Sequence, residues 1–165
     1  MIKNKIVLFL DVDGVLNSYD IPIRIRRHKI HKKAGFSKET DEFNPFQKKV
    51  LRLAKLVKKY NIDVYVFSAW TDYNLQPHLP FKLKGDTGKY IDRMNKISKE
   101  YKHSILIDDE IISIGQRGVK GQDIRFEKNI TLFQPKYDKG LVRKDFIKLD
   151  KIFQEMMNNS PKYKI

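Results

Sequence analysis

The stretch at residues 6–16 reads IVLFLDVDGVL. Its first five residues form an uninterrupted apolar run, which is typical of a strand buried on both faces of a parallel sheet. Two carboxylates, Asp11 and Asp13, follow directly, and Gly14 permits the sharp turn that would direct both into one pocket. This stretch predicts a central strand of a parallel sheet with polar groups gathered at its carboxyl end.

Apolar runs of the same kind recur later in the chain, and helical patterns lie between them. The runs cover residues 64–67, 105–107 and 130–133, and the helical patterns begin near residues 44, 88 and 143. Strands that alternate with helices predict an α/β fold, here a Rossmann-like three-layer sandwich with a mainly parallel central sheet and right-handed crossovers. In such sheets, sites form beyond the carboxyl ends of the strands.

Three amphipathic helices are predicted from apolar residues at helical spacing. The inward-facing residues are Phe46, Val50, Leu53, Ala54 and Val57 in the first helix, Ile91, Met94, Ile97 and Tyr101 in the second, and Phe146, Leu149, Phe153 and Met156 in the third. The first helix opens at Asn44-Pro45, a capping residue followed by proline at the first helical position. The second covers residues 88–101 with Thr87 as its cap, and the third covers residues 143–157.

The length of 165 residues fits one domain, and residues 1–165 are predicted to form it. Lys and Arg number 34 against 20 Asp and Glu, which gives a formal net charge of +14. This excess favours polyanionic partners such as nucleic acid, nucleotides or an acidic membrane surface. The alternative is compositional, because Lys and Asn are abundant throughout the chain, as in proteins translated from A/T-rich genomes. Charge alone leaves both interpretations open.

Residues 18–43 fit neither the strand pattern nor the helix pattern. Asp20 is the only acid in this segment before Glu39. The basic side chains are Arg24, Arg26, Arg27, Lys29, Lys32 and Lys33, with His28 and His31 among them. We interpret the segment as a small basic flap or cap inserted after the first strand.

The chain contains no cysteine, which excludes disulfides, thiolate metal sites and a cysteine nucleophile and leaves hard oxygen ligands as the natural metal chemistry. The apolar run near the start is far shorter than a signal sequence or a membrane span. We therefore expect a cytoplasmic protein with no membrane association. The four histidines have no ligand spacing, and no feature of the sequence specifies the oligomeric state.

The third apolar run ends in Asp108, Asp109 and Glu110. Adjacent carboxylates repel each other and raise each other's pKa unless a cation lies between them. A cluster of this kind at the end of a strand indicates a divalent metal site.

Asp-x-Asp-Gly also begins calcium-binding loops of the EF-hand type. Such a loop needs Gly at its sixth position and Glu at its twelfth. Counted from Asp11, these positions hold Leu16 and Pro22, so a calcium loop is excluded.

The remaining interpretation of the first motif is phosphoryl transfer. An apolar strand followed by Asp-x-Asp-Gly resembles the first motif of the haloacid dehalogenase superfamily. The resemblance implies that Asp11 is a nucleophile and that Asp13 acts as a general acid and then as a base. It also implies that Asp11 and the backbone carbonyl of Asp13 bind the metal.

Three further motifs of that superfamily have counterparts in this chain. Ser68, at the end of the second predicted strand, matches the Ser or Thr that holds phosphoryl oxygens, and the alternative is an ordinary helix cap. Lys89 is our choice for the lysine that neutralises nucleophile and phosphate, with Lys84 as the runner-up. Asp108 and Asp109 match the metal-binding acids.

These matches extend from about residue 5 to about residue 153 and imply a Mg²⁺-dependent phosphohydrolase with an aspartyl-phosphate intermediate. Short insertions imply an open site, which together with the basic segment favours a nucleic-acid end or a nucleotide phosphomonoester as substrate. Tyr19, Trp70 and Tyr73 are candidates for stacking on a base, although such aromatics are more often core residues. The alternatives are a phosphatase for another small phosphometabolite or a phosphoprotein, and a catalytically inactive relative that binds nucleic acid.

Overall fold

The computed structural model of the chain describes residues 2–16, 45–111, 126–136 and 139–158. Three sequence predictions lie outside what it describes. These are the basic insertion at residues 18–43 with Tyr19, the helix cap at Asn44, and the inward side chain of Phe46.

Within these residues the chain forms five strands and four α-helices. The strands are β1 (Lys3–Leu10), β2 (Asp63–Val66), β3 (Leu83–Asp86), β4 (Tyr101–Ile107) and β5 (Ile130–Phe133). The helices are α1 (Pro45–Tyr60), α2 (Asp72–Leu75), α3 (Ile91–Ser98) and α4 (Arg143–Asn158), and a 3₁₀ turn, Gln76–His78, follows α2. No helix in this part of the chain is long and apolar enough to cross a membrane.

All five strands run parallel in one sheet, in the order β3-β2-β1-β4-β5. β1 lies at the centre, where Leu10 pairs with Val66 on one side and with Ile107 on the other. The carboxyl ends of β1, β2 and β4 are therefore level, and the residues that follow them meet at one edge of the sheet.

The side chains of β1 alternate between two buried faces of the sheet. Ile6, Leu8 and Leu10 belong to a core that includes the buried faces of α1 and α4. Val7 and Phe9 belong to a second core on the opposite face, which includes α3. The sheet is therefore the middle of three layers, and the predicted Rossmann-like α/β sandwich with a parallel sheet is confirmed.

The starts of the first and third predicted helices, at Pro45 and Arg143, are confirmed, as is the late strand at Ile130–Phe133. β1 and β4 begin before their apolar runs. The first residues of these two strands still pair in the sheet, since Lys3 lies opposite Tyr101. Apolar runs therefore located the strands but not their amino ends.

The second predicted helix, residues 88–101, is too long, because the observed helix covers only the residues of α3. Tyr101 instead belongs to β4, where it is buried and pairs in the sheet with Lys3. Thr87 is not its cap, since the Thr87 hydroxyl donates to the carbonyl oxygen of Val66 at 3.2 Å. Tyr90 occupies the cap position, with no side-chain capping hydrogen bond.

Candidate active site

The carboxyl ends of the three central strands bring predicted site residues together. Asp11 directly follows β1, Asp108 directly follows β4, and Ser68 lies two residues after β2. All three are buried. Main-chain hydrogen bonds continue past the strands, from the Asp11 N–H to the Ile107 carbonyl at 3.0 Å and from the Asp108 N–H to the Phe133 carbonyl at 3.3 Å. The backbone of the site is therefore an extension of the sheet.

Three aspartates form a compact buried cluster at this edge. One carboxylate oxygen from each of Asp11, Asp108 and Asp109 lies within 4.8 Å of the other two. The Oδ2 atom of Asp109 is buried and has no hydrogen-bond partner among the described residues. A buried oxygen without a partner is costly, so this position is incomplete as it stands.

One lysine enters the cluster. The Nζ atom of Lys89 lies 2.8 Å from Oδ2 of Asp11 and 3.0 Å from Oδ2 of Asp108. Lys84, the runner-up in the sequence analysis, instead lies with its Nζ 3.9 Å from Asp63, at the amino end of β2. The structure therefore places Lys89 in the cluster and Lys84 outside it.

A tight turn after β3 positions Lys89 next to the aspartate cluster. The Thr87 N–H donates to the Val66 carbonyl at 2.8 Å, which ties the start of the turn to β2. Gly88 follows with φ of 55°, and a Cβ at this position would come within 2.9 Å of the Tyr90 ring. Both the left-handed backbone and the close ring favour glycine here, and the turn points the next side chain at the aspartates.

Hydrogen bonds hold two of the carboxylates in place. The Val12 N–H donates to Oδ1 of Asp11 at 2.8 Å, and the Ser68 side chain also forms a hydrogen bond with Asp11. The Glu110 N–H donates to Oδ1 of Asp108 at 2.7 Å. Asp11 and Asp108 are therefore oriented by the protein itself.

Ser68 does not cap a helix. The cap of α2 is Thr71, whose side-chain oxygen accepts a hydrogen bond of 3.2 Å from the Asn74 N–H. Ser68 lies three residues earlier and contacts Asp11. The capping alternative considered for Ser68 is therefore wrong.

Asp13 lies in the turn after β1 and is not a member of the cluster. Gly14 adopts φ of 78°, a left-handed conformation that fits the turn expected at this glycine. The Asp13 side chain is half-buried, and its Oδ2 accepts a hydrogen bond of 3.2 Å from Nε1 of Trp70. The two acids of the motif are thus separated, with Asp11 in the cluster and Asp13 against Trp70.

Burial and mutual repulsion shift the pKa values of the site. Burial first, and then the charge of Asp108, raise the pKa of Asp11 to about 6, although Lys89 and Ser68 oppose the shift. Burial and the charges of Asp11 and Asp108 raise the pKa of Asp109 to about 7. Burial alone would lower the pKa of Lys89, but its contacts with two aspartates raise it. The lysine is charged at neutral pH, and the carboxylates hold protons unusually tightly.

The cluster has the chemistry of a divalent-cation site. Within the described part of the chain, three carboxylates and one ammonium group leave two negative charges uncompensated when all are ionised. A hard cation with oxygen ligands, such as Mg²⁺, would offset this charge and give the Oδ2 atom of Asp109 a partner. Asp11, Asp108 and Asp109 are the residues that could hold it.

Sequence reasoning missed the contact between Trp70 and Asp13, and named Trp70 only as a candidate for base stacking. The positions gave no matching signal, because Asp13 lies three residues after the end of β1 and Trp70 lies four residues after the end of β2. Tyr73, another stacking candidate, has 84% of its surface exposed.

Comparisons with known proteins do not place the chain in a family. No family model matches it, and neither curated proteins nor solved structures gave a significant match. Function is therefore inferred from the residues of the site.

Proposed function

We propose that the protein is a Mg²⁺-dependent phosphohydrolase that forms a covalent aspartyl-phosphate on Asp11. The observation that carries the proposal is the contact of Lys89 with two buried aspartates, Asp11 and Asp108, at the level ends of β1 and β4. A carboxylate nucleophile can approach a phosphate dianion only where cations offset their repulsion, and Lys89 supplies one such charge. The resemblance of the sequence motifs to the haloacid dehalogenase superfamily supports the same chemistry.

In the first step, a carboxylate oxygen of Asp11 attacks the phosphorus atom of the substrate. The new oxygen–phosphorus bond forms as the bond to the leaving oxygen breaks, and Asp13 transfers its proton to that oxygen. Lys89 and the Ser68 hydroxyl stabilise the charge on the remaining phosphoryl oxygens. The products of this step are the free alcohol and the aspartyl-phosphate.

In the second step, water attacks the phosphorus atom of the aspartyl-phosphate. Asp13, now ionised, accepts a proton from that water as the bond between phosphorus and the Asp11 oxygen breaks. Inorganic phosphate leaves, and both aspartates regain their starting protonation states. One water is consumed for each phosphate ester hydrolysed.

Asp11, Asp108 and Asp109 would hold the Mg²⁺, together with the backbone carbonyl of Asp13 that the resemblance implies. When bound, the ion supplies the positive charge that lets a carboxylate and a phosphate approach each other. The raised pKa values of Asp11 and Asp109 support this assignment, since burial and then the neighbouring carboxylates disfavour their charged forms, and a bound cation would offset both effects.

The proposed substrate is a nucleic-acid end or a nucleotide phosphomonoester. The net charge of +14 favours a polyanionic substrate. Tyr73, on the first turn of α2 and three residues after Trp70, presents an exposed ring that a base can stack on. Another small phosphometabolite and a phosphoprotein are the alternative substrates.

The same net charge favours a second candidate, a nucleic-acid-binding module without catalytic activity. It predicts salt-sensitive oligonucleotide binding and no hydrolysis. A binding module does not require a buried aspartate cluster with an unpartnered oxygen, so the cluster favours the enzyme.

The test is hydrolysis of p-nitrophenyl phosphate with and without Mg²⁺, followed by a panel of 3′- and 5′-phosphorylated oligonucleotides, nucleoside monophosphates, sugar phosphates and phosphopeptides. We expect turnover that requires Mg²⁺ and a phosphate adduct on Asp11 in acid-quenched enzyme, measured by mass spectrometry. Asp150→Asn is the matched control, because Asp150 pairs with Lys59 where α4 meets α1. No turnover on any substrate, or an Asp11→Asn variant that keeps full activity, contradicts the proposal.

A further inference from the structure

Trp70 is the single tryptophan of the chain. It lies between Ser68, which contacts Asp11, and Thr71, which caps α2. Its ring is half-buried against the core that includes α1 and α4, while its Nε1 donates to Oδ2 of Asp13 at 3.2 Å. The apolar body of the indole is thus packed, and its one polar atom is directed at an acid of the site.

We infer that Trp70 is a positioning residue that orients the Asp13 carboxylate for proton transfer. The inference rests on the proposed function, because it assigns a role within that reaction. Trp70 acts through Asp13 and not on the phosphate itself.

The chemistry of the indole makes this contact directional. Nε1 carries one hydrogen and accepts none, so the oxygen that it contacts has to be an acceptor. Because a carbonyl oxygen accepts a hydrogen bond better than a hydroxyl oxygen, the contact favours Oδ2 as the carbonyl oxygen of protonated Asp13 and Oδ1 as the oxygen that carries the proton. Oδ1 then gives the proton to the leaving oxygen, and it is again the oxygen that accepts a proton from water in the second step.

The hydrogen bond from Trp70 helps to select one orientation of the Asp13 carboxylate. The χ2 torsion of aspartate is broad and nearly twofold, so covalent geometry does not select one orientation. The Asp13 side chain is half-buried, and its Oδ2 is the atom that faces Nε1 of Trp70. The loop that carries the indole is short and runs from β2 to the capped start of α2, which places the donor.

A purely structural role for Trp70 predicts different kinetics. Lost packing would slow all substrates alike, whereas a misdirected Asp13 would slow mainly those whose leaving oxygen needs a proton. An alkyl phosphate ester needs that proton, and p-nitrophenolate leaves as a stable anion without it. The kcat/KM values of these two substrates separate the roles, because kcat/KM reports the steps up to release of the leaving group.

The sharpest variant removes only the N–H. Because the chain has one tryptophan, growth of a tryptophan auxotroph on benzothienylalanine replaces this N–H by sulfur and keeps the size of the ring. Trp70→Phe is a second variant that also lacks the donor. Tyr60→Phe is the matched control, since it removes an aromatic donor to a carboxylate, Asp150, at 2.7 Å in the contact between α1 and α4.

We expect both Trp70 replacements to lower kcat/KM for an alkyl phosphate about 10- to 100-fold, a loss that the size of general-acid catalysis allows. The value for p-nitrophenyl phosphate should change far less, and Tyr60→Phe should leave the ratio of the two values unchanged. In an Asp13→Asn background the replacements should have no further effect.

Equal losses for the two substrates, or no loss for either, would overturn the role of Trp70 and leave the proposed function standing. An unmodified protein with no turnover on any substrate would overturn both. Thermal unfolding of each variant shows whether it is folded, and the benzothienyl protein decides the outcome if Trp70→Phe is not.

Discussion

The two ends of the parallel sheet carry opposite arrangements of charge. At the carboxyl end, three buried aspartates share one lysine. At the amino end a single aspartate, Asp63, has three partners. These are the Tyr101 hydroxyl at 2.9 Å, the Lys5 ammonium at 3.3 Å and the Lys84 ammonium at 3.9 Å. Counting only residues that the structure describes, the carboxyl end is short of positive charge, and the amino end is well supplied.

This difference separates a candidate site from a structural contact. A carboxylate with enough partners stabilises the fold and has little left to offer a ligand. A cluster of carboxylates with too few partners destabilises the fold until a cation binds, which is typical of functional sites. At the amino end, burial and Asp63 raise the pKa of Tyr101 well above its usual value, so the phenol stays a neutral donor. At the carboxyl end, the raised pKa values belong to the acids themselves.

The largest expected effect is on turnover at the carboxyl end. Asp11→Asn removes the proposed nucleophile and should lower kcat by a factor on the order of 10⁴ or more. Asp63→Asn should keep kcat near the wild-type value, because it alters only the amino end. Initial rates at saturating substrate and Mg²⁺ measure both, and equal losses would remove the functional contrast between the two ends.

The next largest effect should distinguish the lysines at the two ends of the sheet, Lys89 and Lys84. Lys89→Met removes the cation that contacts Asp11 and Asp108, and should lower kcat on the order of 10²- to 10³-fold. Lys84→Met, the matched control beside Asp63, should leave kcat unchanged. A Lys84 variant as impaired as the Lys89 variant would show that the charge assignment is wrong.

Stability should change in opposite directions at the two ends. Asp109→Asn removes one of three buried negative charges and should raise the melting temperature of the metal-free protein. Asp63→Asn weakens a set of satisfied contacts and should cost about 1–3 kcal/mol. Thermal unfolding in a chelator measures both, and added Mg²⁺ should stabilise the wild type more than Asp109→Asn. A lower melting temperature in both variants would contradict the contrast.

Metal-free stability should fall as the pH rises from about 4 to about 7. The folded state holds protons on Asp11, with a pKa of about 6, and on Asp109, with a pKa of about 7, whereas the ordinary value is 3.8. The unfolded chain releases these protons first, so rising pH favours unfolding across this range. Asp150, whose pKa is lowered by Lys59 and Tyr60, acts only at more acidic pH.

Melting temperatures in a chelator at several pH values check this prediction. Asp109→Asn and saturating Mg²⁺ should each flatten the dependence of melting temperature on pH, because each reduces the number of protons that the chain takes up when it folds. A melting temperature that climbs over the same range would show that the cluster is not short of positive charge.

The smallest expected effect is at the amino end. Tyr101→Phe removes one hydrogen bond to Asp63 and should cost about 1 kcal/mol of unfolding free energy, with kcat unchanged. Loss of the comparable aromatic donor at the carboxyl end, on Trp70, should instead change kcat/KM. Denaturant unfolding and initial rates on the two proteins make the comparison, and a kinetic defect in Tyr101→Phe would weaken it.

Local patterns predict elements that carry an apolar run. β2 and β5 have only four residues each but were predicted from such runs, whereas β3 and α2, which are as short, have none. β3 reads LKGD and is a strand because it pairs with β2. Tyr101 fits a helical stripe by spacing, yet its burial beside β1 makes it the start of β4.

The choice between Lys84 and Lys89 shows where sequence reasoning about the site stops. Both lie within or just after β3, five residues apart, and the chain contains many other lysines. Lys84 lies on the strand near the amino end of β2, whereas the Gly88 turn carries Lys89 to the aspartates. Where β3 ends therefore determines which of the two lysines reaches the aspartates.

By itself, the sequence determined a parallel α/β sandwich and the aspartates that follow its central strands. Hydrophobic periodicity and adjacency to a strand end are local properties, so they can be read along the chain. Only the tertiary structure decided which distant side chains meet, namely Lys89 with Asp11 and Trp70 with Asp13, pairs that lie 78 and 57 residues apart. These contacts depend on strand order and register, which no local pattern specifies.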